Sequence, residues 1–229
     1  MAHESRAESR ARIEREIVEA GRRQLGEVGA AGLSLREVAR EIGMVSSAVY
    51  RYVASRDELL TRLIIEAYDE LGSAAEDAAA SHTDVGDLDR WTATATAIRR
   101  WAFDHPHDYL LLFGSPVPGY AAPETTVASG TRATRALVGV IVDAHATGRL
   151  APPSTEGATV PETLAVELGR LGTNEAGGLD AETVAAFVAA WTQLYGLISF
   201  EITNQTRGFV TETDALFEVT VRRLAHRIG

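Results

Sequence analysis

The sequence predicts an all-α protein made of a small N-terminal helical domain and a larger helical one. Apolar residues recur at three- and four-residue spacing along most of the chain, as at Leu35, Val38, Ala39 and Ile42. No stretch shows the strict alternation of a half-buried strand, and Gly43, Pro106 and Gly148 mark helix ends. With 229 residues and 45% hydrophobic content, the chain has room for a real core in its larger part.

The elements follow in order. A long first helix covers about residues 6 to 29, with Ile13, Ile17, Ala20, Leu25 and Val28 apolar and Gly29 and Gly32 bracketing its end. Ahead of it, Arg6, Arg10 and Arg12 form either a short arm for backbone phosphate or a minor groove, or a frayed, solvated end. Ser34 and Glu37 have the spacing of a capping box, so a second helix starts at Leu35 and stops at Gly43. A third helix spans about Ser46 to Val53, with Ala48, Val49 and Val53 turned inward. Ser55 and Glu58 make a second capping box, and a fourth helix runs from about Arg56 to Ala80, leading to a loop at Ser81 to Gly86. Further helices are expected at Leu88–Phe103, Pro106–Phe113, Thr125–Thr147, Thr159–Leu171, Asp180–Thr203 and Thr211–Arg227, the first of these ending where His105 precedes a proline. Residues 114–123, 149–158 and 172–178 connect them, and no internal repeat is visible.

Composition removes several function classes. There is no cysteine, so disulfides, thiolate metal sites and cysteine nucleophiles are excluded. Purely apolar runs fall far short of the ~20 residues of a membrane span, and the polar N-terminus lacks a signal-peptide core, so a cytoplasmic protein with no membrane partner is expected. The net charge of −10 is unevenly spread. Residues 1–60 are neutral, and the whole acidic excess lies in the remainder. A neutral domain still binds DNA when its arginines share one face.

The short helix, glycine, short helix and capped third helix over residues 34–60 form a helix-turn-helix, whose dominant use is to lay its second helix in a DNA major groove. Ser46 and Ser47 sit at the start of that helix, where side chains reach base edges. Tyr50 and Tyr52 can donate to phosphate oxygens, and Arg51 can pair with a phosphate or bidentately with a guanine. Ser34 and Arg56 lie at flanking helix N-termini, placed for backbone contacts that fix register.

Through Leu35, Val38, Ala39, Gly43, Val49, Tyr50, Tyr52, Val53, Asp57, Glu58, Leu59 and Leu60, the segment from about residue 8 to 60 resembles the DNA-binding domain of the TetR/AcrR family of bacterial transcriptional regulators. The resemblance implies that Ser34, Ser46, Ser47, Ala48, Tyr50, Tyr52 and Arg56 fall on positions that usually touch DNA. Two departures are visible. Val45 stands where Ser or Thr is usual, so that the resemblance implies Ser46 as the N-cap one residue later, and Arg56 stands where Lys is frequent. Residues 101–120 and 191–201 further resemble a regulatory-domain subtype of the family named for a Trp-His-Gly signature; Trp191 and Gly196 match it, while Tyr195 replaces the histidine.

The boundary expected from these readings puts a DNA-binding domain at residues 1–55 and a ligand-binding and dimerisation domain at 56–229. The last two helices are apolar around much of their girth (Phe187, Trp191, Leu194 and Ile198; Phe217, Val221, Leu224 and Ile228), so each must bury two faces, one against a second copy. The resemblance implies a four-helix dimer interface there. A dimer would read a pseudo-palindromic double-stranded operator in successive major grooves. Trp91, Trp101, Phe103, Tyr109, Phe113, Tyr120, His145, Trp191, Tyr195 and Asn204 are either ordinary core or the lining of a small-molecule pocket. Trp101, Tyr109, Phe113, His145, Trp191 and Tyr195 are the candidate ligand contacts, and the resemblance implies a small apolar or amphipathic effector whose binding releases DNA, with the fourth helix as lever. Asp104-His105-Pro106-His107-Asp108 offers metal-ligand types, but its i, i+2 spacing seldom aims both rings inward, so no metal or other cofactor is assigned. There is no G-x-S-x-G and no histidine paired with a nucleophile and an acid, so no enzyme is expected. The expectation is a ligand-responsive repressor; a helical small-molecule binder of the same fold without specific DNA binding is the alternative.

Overall fold

The computed structural model describes residues 5–83, 86–153 and 159–229. Parts of the loops expected at 81–86 and 149–158, and the first four residues, lie outside the described residues. The helices are α1 (Arg6–Gly32), α2 (Leu35–Glu41), α3 (Ser46–Val49), α4 (Arg56–Ser81), α5 (Asp87–Asp104), α6 (Pro106–Phe113), α7 (Val127–Gly130), α8 (Arg132–Ala146), α9 (Glu162–Glu175), α10 (Ala181–Ile202) and α11 (Thr213–Ile228), with a 3-10 turn at Glu124–Thr126. No strand occurs among the described residues.

The chain forms two compact units: residues up to Asp69 with His105–Gly130, and Glu70–Asp104 with Thr131–Gly229. In the first unit, Ile17, Val18, Ala20 and Leu25 of α1, Leu35, Val38 and Ala39 of α2, Val49 and Val53, and Leu59, Leu60 and Leu63 of α4 make one core. Ser5 and Glu8 start α1 with a reciprocal capping box (3.1 and 2.7 Å) that the sequence reading missed. Arg6, Arg10 and Arg12 therefore lie within α1 and form no separate arm; Arg10 and Arg12 pair with Glu14 and Glu16 one turn on. Gly29 adopts φ 69° and kinks α1, which resumes for a last turn.

The capping box expected at Ser34 does not form. The Ser34 side chain makes no capping bond, and the reciprocal half is also lost: Glu37 is drawn to Arg40, while the Ser34 N–H donates to Gln24 Oε1 at 3.1 Å. The box at Ser55 does form in part. Glu58 N–H donates to Ser55 Oγ at 3.1 Å, and the Glu58 carboxylate accepts from Ala54 N–H at 2.7 Å. Residues 105–130 join this unit through α6. Asp108 pairs with Arg22 of α1 at 3.4 Å, the His107 ring lies over Gly26, and Tyr120 Oη hydrogen-bonds Thr61 Oγ1 of α4 at 2.9 Å.

In the second unit, Trp91, Ile98 and Trp101 of α5, Leu137 and Val140 of α8, Phe187, Leu194 and Ile198 of α10, and Phe217, Val221 and Ile228 of α11 are buried. One ion-pair network ties three helices. Arg99 of α5 donates to both Glu201 oxygens at 2.9 Å and to Asp214 at 2.8 Å. Its guanidinium also lies over Phe103 and Phe217 at 5.0 and 4.7 Å. Burial opposes the charge on Arg99, but the bonds to the two carboxylates outweigh it and hold its pKa above the ordinary value.

Two helix expectations need correction. The helix foreseen over Thr125–Thr147 is broken at Thr131 into a 3-10 turn, α7 and α8. Around the break, Gly130 presses on the Tyr68 ring while Arg132 lies against Gly72 and pairs with Glu76. α9 starts at Glu162, not Thr159, because Pro161 sets the N-cap conformation (φ −60°). α10 begins as foreseen, with Asp180 accepting from Thr183 N–H at 2.8 Å.

Candidate nucleic-acid interface

The turn between α2 and α3 is made by Gly43 at φ 68°, where a side chain would be strained. Val45, not Ser46, is the N-cap of α3, with φ −72°, ψ 139° and no side-chain cap bond. Ser46 thus occupies the first turn and not the cap. α3 is also shorter than expected. Regular helix ends at Val49, and the chain tightens: Arg51 and Tyr52 N–H groups bond three residues back, to Ala48 and Val49, at 3.1 and 2.9 Å. α4 receives this end. Arg62 donates to the Tyr52 carbonyl at 2.8 Å and to Glu58 at 2.6 Å, so the short helix is held from behind by an element that is itself well capped. The Ala54 N–H and Arg62 keep the Glu58 carboxyl below its usual range.

Val49 and Val53 are fully buried, which turns the other residues outward. Ser47, Tyr50 and Arg51 are exposed, Tyr50 by 53%. Ser34, Ser46, Ala48, Tyr52 and Arg56 are half-buried. Tyr52 packs against the core, with the Arg10 guanidinium 5.4 Å from its ring centroid. Arg56 has a task the sequence did not reveal. Its Nη2 donates to the Ala30 and Ala31 carbonyls at 2.8 and 3.2 Å and its Nε to Leu33 at 3.2 Å, satisfying the open end of α1. Its Nη1 lies 3.8 Å from Asp57. The guanidinium is committed to the fold, so Arg56 positions the interface more than it reaches for phosphate.

The candidate ligand residues separate. Tyr109 and Phe113 belong to the first unit, where their ring centroids are 5.0 Å apart and Tyr68 meets Phe113 edge-on at 6.1 Å. Tyr68 was missed, although it follows Ile64 at helical spacing and precedes Leu71; burial raises its pKa. Trp101, Trp191 and Tyr195 belong to the second unit, with Trp191 and Tyr195 edge-on at 5.9 Å. His145 is a correction. It lies on the exposed side of α8, because Ala144 and Ile141 take the buried face. The Asp104–Asp108 cluster is dispersed among separate partners: Asp104 is 3.8 Å from Arg100, and Asp108 faces Arg22.

Residues 17–63 match the bacterial regulatory proteins of the tetR family, and residues 91–224 match the tetracyclin repressor-like C-terminal domain. The chain belongs to the TetR family. The HTH-type transcriptional regulator Rv1816 of Mycobacterium tuberculosis (strain H37Rv) is 39% identical over 225 residues, covering 96% of this chain and 93% of that protein. The crystal structure of SCO4313 superposes with a TM-score of 0.74 at 32% identity, over 96% of this chain and 98% of that one. PfmR, a TetR family transcriptional regulator from Thermus thermophilus, shares the fold at 16% identity, with a TM-score of 0.59 over 90% of this chain and 97% of that one. This TetR-family protein is accordingly a DNA-binding transcriptional regulator with a ligand-binding C-terminal domain, and not an enzyme. TetR regulators act as dimers with small-molecule effectors.

Proposed function

We propose that this TetR-family regulator is a cytoplasmic repressor that binds a pseudo-palindromic operator as a homodimer and lets go when a small apolar or amphipathic effector occupies its C-terminal domain. The observation that carries the DNA reading is the outer surface of α3. Ser47, Tyr50 and Arg51 are exposed there while Val49 and Val53 behind them are fully buried. Ser34, Ser46, Ala48 and Tyr52 complete the contact set, and Arg56 holds it in register. Effector contacts are assigned to Trp101, Trp191 and Tyr195 of the second unit, and Tyr109 and Phe113 of the first unit are left as core of that unit. The subtype with the Trp-His-Gly signature is retained on Trp191 and Gly196, with Tyr195 supplying a phenol where an imidazole is usual.

Homodimerisation is assigned to α10 and α11. α10 is long and apolar enough to cross a bilayer by length and composition, yet only 33% of its most apolar stretch is buried. Ala189, Gly196 and Phe200 lie along its exposed side with Thr192 and Gln193, and a second copy would cover them. The test of the whole reading is fluorescence anisotropy of the protein on DNA flanking its own gene and on scrambled DNA, across a salt series. Sequence-selective binding that weakens with salt is the expected result. Equal, weak binding to every duplex in a random pool would leave a helical ligand binder without specific DNA recognition.

A further inference from the structure

Val45, the residue that opens α3, is out of character for its place. It is 71% exposed, and its side chain caps nothing. The fold does not demand a branched apolar group there, since the core positions of this segment are Val49 and Val53. A serine or threonine would satisfy one of the open N–H groups of the helix, so an exposed valine forgoes a local stabilisation. Three residues on, Ala48 N–H donates to the Val45 carbonyl at 2.9 Å. This turn carries the Ala48 methyl to the same side of the helix as Val45. Val45, exposed, and Ala48, half-buried, are then the apolar members of a surface whose other exposed residues, Ser47, Tyr50 and Arg51, are polar. The small size of this pair and its polar surroundings suit a single apolar group better than a protein partner.

In the major groove one apolar group stands on a base edge, the C5 methyl of thymine. We propose that Val45, backed by Ala48, buries a thymine methyl in each half-site and is a specificity-determining residue of this regulator. The inference rests on the DNA-binding reading of α3. It predicts a preference that hydroxyl and guanidinium groups on the same helix cannot supply, because those groups read donors and acceptors.

Deoxyuridine pairs as thymine does and lacks only the methyl. The full-length protein is used to enrich sites from random duplexes, and each thymine of the enriched site is then replaced in turn by deoxyuridine. One position per half-site should lose about fourfold in affinity, the worth of one buried methyl-sized group. Val45→Ser should be indifferent at that position and should enrich sites without the thymine preference there. Val45→Thr, which keeps one methyl and the branched shape, should retain part of the sensitivity and decides the matter if the serine variant binds no DNA. Enrichment with no methyl-sensitive thymine, or sensitivity unchanged in the variants, would overturn the role of Val45 and leave the regulator reading standing. No enrichment of any site would remove both.

Discussion

Two surfaces of this TetR-family chain, the outer side of α3 and the outer side of α10, are exposed for opposite reasons. α3 has four residues, ends in a tight turn and is stabilised from behind by Arg62 and Glu58 of α4. What it shows to solvent is mostly polar. α10 has 22 residues, a capped start and a largely apolar composition, and its exposed side carries Ala189, Gly196 and Phe200 beside Thr192 and Gln193, whose side chains bond back to carbonyls of the same helix. The first is a poor helix presenting good hydrogen-bonding groups, and the second a good helix presenting groups that water solvates badly. A polar exposed surface on a rigid support suits a nucleic acid, whereas an apolar one suits a second copy of the same helix. Disturbing each in turn should move different measurements.

The largest effect is expected behind α10. Arg99→Ala would leave Glu201 buried without its cation, and breaking such a pair costs about 3–5 kcal/mol. Urea unfolding should show this loss, while the DNA contact set of α3 keeps its composition. A loss under about 1 kcal/mol, the scale of an exposed pair, would mean the network is held by its aromatic neighbours, Phe103 and Phe217, more than by charge.

Gly196 separates the folding of α10 from its partnering. A Cβ built there meets nothing within 4 Å in the single chain. Mid-helix glycine is destabilising by roughly 0.5–1 kcal/mol relative to alanine, so the fold alone gives no reason to keep it. A close approach by a second copy does. Gly196→Leu should therefore leave the thermal midpoint of dilute protein unchanged or raised. It should weaken the dimer by about 1–3 kcal/mol per subunit through overpacking, read by sedimentation velocity. An unchanged dimer would move the interface off this side of α10.

On α3 the order reverses. Tyr50→Ala and Arg51→Ala remove exposed side chains and should leave unfolding within about 0.5 kcal/mol of the parent. Each should cost about 1–3 kcal/mol in operator affinity if it reads a base; if Arg51 meets a phosphate, its loss should lower the salt slope by about one. Affinity unchanged from the parent in both variants would detach α3 from DNA.

The two surfaces were not equally legible in the sequence. Helix order, the turn at Gly43 and the inward Val49 and Val53 follow from spacing and from local steric rules, so they could be read before any contact was known. The start of α10 near Asp180 was legible for the same reason, since the Asp180 cap acts within its own turn. Arg56 was not, because its partners, the carbonyls of Ala30, Ala31 and Leu33, lie more than 20 residues earlier and are opened by the kink at Gly29. His145 was misplaced because the buried stripe of α8 runs through Ile141 and Ala144, and a histidine one residue beyond a helical stripe looks internal until the packing partner is known. Thr131 breaks its helix where Gly130 meets Tyr68 and Arg132 meets Gly72, contacts that no local pattern encodes.

The smallest expected effects separate two motifs that read alike. Ser34-x-x-Glu37 and Ser55-x-x-Glu58 have the same spacing, yet only the second caps its helix. Ser55→Ala should cost about 0.5–2 kcal/mol, as the loss of an N-cap does. Ser34→Ala should cost next to nothing in stability, because Gln24 holds the Ser34 backbone N–H, which alanine keeps. Glu58 sharpens the contrast through pH. Its carboxyl sits below the usual range, through the Ala54 N–H first and then Arg62. Its stabilising contribution is therefore present above the unfolded carboxyl pKa and lost as pH falls through the lower folded value. Glu58→Gln should flatten that acid limb of the stability curve. If Glu58→Gln left the acid limb unchanged, the support of α3 by the start of α4 would be no stronger than an ordinary solvated helix end, and the rigid half of the comparison would fail.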